Sequence, residues 1–169
     1  SLRPLISSQQ EFVKFLLHII DSKDDPEVWI NIACKIIRRI ELTDEILDEF
    51  CTNNVISSFM KVVQKTNTPN IITSGLLLLE KVASFGFRKE LAQNCEWISD
   101  IIKDFEESDQ TYIFTDAIDV ATVMARHKKC SRKFADLGMI EYFEDLSKSK
   151  KFKKLATKFL NTIDRKLQS

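Results

Sequence analysis

Glycine and proline are scarce. The 169-residue chain has three of each, about 4% together against roughly 12% in an average protein. Sheet proteins need Gly, Asn and Pro for their turns, which argues against a sandwich or barrel. No GxGxxG or GxxxxGK[ST] occurs, so the phosphate-cradling loops of nucleotide-binding α/β folds are excluded. No run reaches 18 apolar residues and no signal-peptide pattern opens the chain, so no transmembrane segment is expected. The chain begins at Ser1 without a Met, and a piece of a longer protein is the expectation.

Chemistry-bearing residues are few as well. Cys34, Cys51, Cys95 and Cys130 form no CxxC pair, which excludes a zinc ribbon or a thioredoxin-type motif. His127-Lys-Lys-Cys130 is the one His/Cys neighbourhood, and a single pair cannot fill the four positions of a structural zinc site. Free, mostly buried thiols are expected. They fit a reducing intracellular compartment, cytoplasm or nucleus. The chain has only two His. His18 lies in the apolar run Phe15-Leu-Leu-His-Ile-Ile and reads as half-buried. His127 closes a long helix, where the dipole favours a cation. With no Ser/His/Asp set, no HExxH and no nucleophile elbow, the expectation is no enzyme, no cofactor and no metal.

Hydrophobic residues at 44% and charged residues at 30% describe an ordered domain. The formal net charge of zero hides a split. Residues 126–169 carry 13 Lys and Arg against 5 Asp and Glu, a net +8, and residues 1–125 carry the compensating −8. The plain reading is a lysine-rich terminal helix pair; the functional one is a basic binding surface.

Apolar residues recur at helical spacing in four blocks about 42 residues apart. The blocks begin Phe12-Val13, Val55-Ile56, Trp97-Ile98 and Met139-Ile140, each continuing at +4 and +7; Asp104 breaks the last column in the third block. A longer helix follows each block. Its columns start at a small residue, Ala33, Gly75, Ala117 and Ala156. Apolar residues follow at +3 (Ile36, Leu78, Val120, Phe159), at +4 (Ile37, Leu79, Ala121, Leu160) and at +7 (Ile40, Val82, Met124, Ile163). Asp24-Asp25-Pro26 and Asn67-Thr68-Pro69 precede two of the long helices, with Pro at the first helical turn. A shorter helix closes each of the first three units. Thr43 caps the first, Ala83–Gln93 and Cys130–Leu137 hold the second and third, and Phe50, Leu91 and Phe134 share one inner column.

Three helices per unit of about 42 residues resembles the armadillo repeat family over nearly the whole chain. The small-residue column and its apolar neighbours carry the resemblance, and Gly138 matches the glycine that family often has before its second helix. The resemblance implies an all-α, right-handed α-α superhelix, a solenoid of about four units (10–53, 54–94, 95–137 and 138–169). A HEAT-like or irregular superhelix is the near alternative. Peptide-binding armadillo proteins carry an Asn ladder and a Trp array on the inner helices. The best-corresponding positions, +6 and +2 from the small residue, read Arg39, Lys81, Val123, Thr162 and Lys35, Leu77, Asp119, Lys158. The fold is therefore implied, and the extended-peptide, nuclear-signal mode is not.

The resulting expectation is a non-catalytic scaffold or adaptor that binds a protein partner on its concave surface. Lys35, Arg39, Leu77, Lys81, Asp119 and Val123 are the candidate groove residues. The basic start of that groove calls for an acidic-hydrophobic helix or extended segment. The alternative is nucleic-acid or acidic-membrane association through Lys148, Lys150, Lys151, Lys153, Lys154 and Lys158. Self-association through an exposed repeat end is a third reading. The acidic clusters Glu41–Glu49 and Asp100–Asp109 read as solvated faces, Trp29 and Trp97 as packing residues, and Leu76–Leu79 as core with Leu77 the outward exception.

Overall fold

A computed structural model describes residues 9–22 and 26–169. The Asp24-Asp25 turn lies outside the described residues. Among those described there are eleven helices and no strand. They run α1 (Gln9–Ile20), α2 (Pro26–Arg39), α3 (Asp44–Thr52), α4 (Val55–Val63), α5 (Pro69–Phe85), α6 (Lys89–Gln93), α7 (Cys95–Phe105), α8 (Thr111–Met124), α9 (Lys128–Asp136), α10 (Met139–Leu146) and α11 (Lys153–Gln168). The protein is all-α. Each apolar block of the sequence is one helix, α1, α4, α7 or α10. Each long helix, α2, α5, α8 or α11, follows it, and α3, α6 and α9 are the short closing helices. Contacts divide the chain into two compact units, Ser1–Leu78 and Leu79–Ser169, and the division falls inside α5.

In the first unit α1 packs on α2, α3 and α4. Its apolar stripe, Val13, Leu16 and Ile19, is buried against a core that includes Ala33, Ile37, Leu47, Phe50 and Phe59. The Phe12 ring stacks on Phe50 with centroids 6.2 Å apart. Thr43 caps α3 as expected: its Oγ1 accepts from the Ile46 N–H at 3.3 Å. Asp44 and Glu45 occupy the first turn, where the helix dipole stabilises anions.

The second unit is built round phenylalanines. α11 packs on α8, α9 and α10, and Phe159 stacks on Phe143 at 4.1 Å and meets Phe134 edge-on at 5.7 Å. Such pairs add about 0.5–1.5 kcal/mol beyond their buried area. Phe152 closes on Phe114 at 4.8 Å. Ala117 and Ala156 are fully buried, which lets α8 and α11 approach their neighbours closely. Asp104, which breaks the apolar column, is exposed, and Ile102 is buried in that helix instead.

Four sequence readings need correction. His18 is exposed in the last turn of α1, because Leu16, Ile19 and Ile20 define the buried face and position 18 turns away from it. His127 does not end the long helix. α8 stops at Met124, and His127 takes the N-cap position of α9, where its Nε2–H donates to the Ala83 carbonyl at 2.9 Å. The third closing element is Lys128–Asp136 rather than 130–137. The second is only Lys89–Gln93, since α5 runs to Phe85 and Gly86, at φ 132°, stops it.

Left-handed backbone stands directly before two of the helices. Asn54 (φ 58°) precedes α4 and Gly138 (φ 73°) precedes α10. A Cβ at Gly138 has room, so conformation alone sets the cost of Gly138→Ala. That substitution is expected to lower stability by about 1–2 kcal/mol. Asn54→Gly is expected to stay within about 0.5 kcal/mol, because Asn already tolerates this region. Thermal melts of both variants check the pair; an unchanged midpoint in Gly138→Ala would refute the assignment.

A second prediction concerns Tyr142, whose hydroxyl donates to Glu106 Oε2 at 2.6 Å. Burial, then the Glu106 carboxylate, push the phenol above the usual tyrosine range. A raised folded-state value means the contribution is complete below the unfolded value of about 10 and is lost as pH rises beyond it. Melting wild type and Tyr142→Phe on either side of pH 10 should show the larger alkaline loss in wild type; parallel losses would contradict it.

Candidate functional site

The long helices decide which side chains reach solvent. Packing buries their 0 column and most of +3, +4 and +7, so +2 and +6 turn outward. Lys35 and Arg39 are exposed one turn apart on α2, and Leu77 is half-buried on α5. These three belong to the first unit. Lys81, Asp119 and Val123 belong to the second and are half-buried. Burial holds the Lys81 ammonium below its ordinary pKa. Asp119 Oδ1 meets Lys158 Nζ at 3.6 Å. The +2 positions of α8 and α11 are thus side by side, in the register that the sequence columns require. Burial, and then the Asp119 carboxylate, push Asp116 above the usual carboxylate range. Tyr112, one turn before Asp116, is 51% exposed.

Neighbouring arginines have different jobs. Arg38 is the fastener. Its Nε donates to Ser74 Oγ at 2.9 Å, and its Nη2 donates to the Asn70 carbonyl at 2.8 Å and to Thr73 Oγ1 at 2.9 Å. Ser74 is fully buried and donates in turn to the Asn70 carbonyl. The end of α2 is therefore tied to the first turns of α5. Arg39 instead borders an open depression of about 410 Å3, lined also by Phe12, Ile40, Glu41, Thr43 and Ile46. An exposed cation beside apolar carbon suits an acidic side chain with an apolar neighbour.

The lysine-rich segment is only partly a row. Lys148 Nζ is bound to Asp145 at 2.6 Å in the turn after α10, and that carboxylate holds the ammonium above its usual range. Lys151 sits over the Phe152 ring at 4.8 Å. Lys150, Lys153, Lys154 and Lys158 line an open trough of about 630 Å3 along α11, joined by Arg165, Thr157, Asn161 and Thr162. The sequence reading stopped at Lys158. Spacing of 154, 158, 161 and 165 on one helix face was the signal that brings in Asn161 and Arg165.

Other candidates resolve into structure. Cys95 and Cys130 are fully buried and in hydrogen-bond contact. The Cys130 thiol, then burial, push Cys95 up. All four cysteines are free. Among the described residues no group of three or more His, Cys, Asp or Glu is placed to hold a metal ion, and no helix is long and apolar enough to cross a membrane. The acidic clusters are solvated, with Glu49 accepting from Asn53 and Glu106 from Tyr142. Trp29 and Trp97 are half-buried.

The two arginines give a direct test. Arg38→Met should cost about 1–2 kcal/mol, because it removes charged hydrogen bonds and takes from the buried Ser74 oxygen the donor it accepts from. Arg39→Met should stay within about 0.5 kcal/mol. Denaturant titration distinguishes them; equal effects would deny Arg38 its fastening role.

No family model, no curated protein and no solved structure matches the chain.

Proposed function

We propose that this chain is a non-catalytic protein–protein interaction module, a scaffold or adaptor of armadillo-like repeats stacked as an α-α superhelix. It holds an acidic-hydrophobic segment of a partner on the outward columns of its long helices, in the cytoplasm or nucleus. The observation that carries the reading is the sorting of the long-helix columns. Ala33, Gly75, Ala117 and Ala156 are buried, whereas Lys35, Arg39, Leu77, Lys81, Asp119, Val123 and Lys158 remain accessible. Asp119 and Lys158 meet across α8 and α11, so the +2 positions of these two helices are neighbours and can act on one ligand. Side chains carried on helices need little backbone reorganisation to bind, which keeps the entropic cost of association low.

The partner chemistry follows from the residues. Lys35, Arg39 and Lys81 are cationic, Leu77 and Val123 are aliphatic, and Phe12, Ile40 and Ile46 surround Arg39. Carboxylates answer the first group and apolar side chains the second.

Selection of random peptides on the immobilised protein should enrich acidic-hydrophobic sequences. Charge reversal in Arg39→Glu/Lys81→Glu should weaken the selected peptides about tenfold or more, equal to at least about 1.4 kcal/mol. A basic consensus, or affinity untouched by the double reversal, would remove the groove residues from the proposal.

A further inference from the structure

We propose that the outward face of α11 is a second binding strip, specific for a carboxylate-rich extended peptide. The inference rests on the protein-binding reading above and assigns it an additional surface. Lys150, Lys154, Lys158 and Arg165 border the trough, and the shorter Thr157 and Asn161 lie between them. Among the described residues Lys158 alone of these cations is ion-paired, at 3.6 Å, with the two side chains 58% and 47% exposed. The pair is weak enough to exchange for a ligand carboxylate. The side chains of Thr157 and Asn161 are exposed and make no hydrogen bond within the protein among the described residues, so a hydroxyl and an amide stand ready between the charges. Lys154 to Arg165 spans about 16 Å of helix, the reach of about five extended residues.

The surroundings choose among anions. Single strands of nucleic acid need exposed rings for base stacking, but Phe159 is buried and Phe152 is half-buried against Phe114. A helix entering a duplex groove meets phosphates on both flanks. Here Asp119 and Asp116 of α8 lie on one flank, and the exposed Asp164 on the other. The trough lining has no apolar side chain to insert into a bilayer. A narrow chain of carboxylates covers the cations and avoids the flanking aspartates.

The test is fluorescence anisotropy of labelled decaglutamate with the whole chain at low salt. Lys154→Glu/Arg165→Glu should weaken binding about tenfold or more. Thr157→Ala/Asn161→Ala, which leaves the charge intact, should weaken it severalfold. Arg39→Glu/Lys81→Glu should leave it nearly unchanged. Binding that is absent, or insensitive to Lys154 and Arg165, overturns the strip. If it is lost only through Arg39 and Lys81, the strip is overturned while the groove reading stands. Tighter binding of a thymidine decamer or of phosphatidylserine vesicles through Lys154 and Arg165 overturns the choice of a peptide.

Discussion

Burial of one small residue on the inner face of each long helix is the constraint on which the rest depends. Ala33, Gly75, Ala117 and Ala156 have almost no side chain, so neighbouring helices can approach the long helix closely there. That closeness buries most of the +3, +4 and +7 columns, where the apolar side chains sit. The hydrophobic gain grows with the apolar area removed from water, and a bulkier side chain in this column would hold the neighbours apart. Everything outward follows by rotation. Once 0, +3, +4 and +7 face inward, +2 and +6 must face out, and the polar residues at those positions become the available surface.

Charge is used in two ways on that frame. Some ions are fasteners. Arg38 ties α2 to α5, Lys148 closes the turn after α10 on Asp145, and Lys151 covers the Phe152 ring. Others are left to solvent, notably Lys154 and Arg165 on α11 and Arg39 beside its apolar depression. The +8 surplus of residues 126–169 is therefore not uniform. Part of it is spent inside the turn between α10 and α11, part lies on α9, and Lys154, Lys158 and Arg165 share one face of α11.

Much of the fold was legible. The apolar blocks, the small-residue column, the two prolines at helix starts and the Thr43 cap each fell on the helix expected of them, because helical periodicity is a local property. The misreadings were places where a local rule met a longer-range contact. His127 looked like a helix-terminal cation, but the Ala83 carbonyl, 44 positions earlier, draws its ring to the start of α9. The end of α5 is set by Gly86, whereas the earlier Gly75 lies buried inside the helix and does not interrupt it.

The candidate surface was legible only as a set of columns. Sequence alone determined that this chain is helical, where its apolar blocks fall, and which positions of the long helices face outward, since composition and 3.6-residue periodicity are written along the chain. Only the tertiary structure decided which charges are free. Arg38 and Arg39 are adjacent and chemically identical, and what separates them is that Ser74 and Asn70 stand within reach of one of them. Distances between helices set that, and no spacing within a helix encodes them.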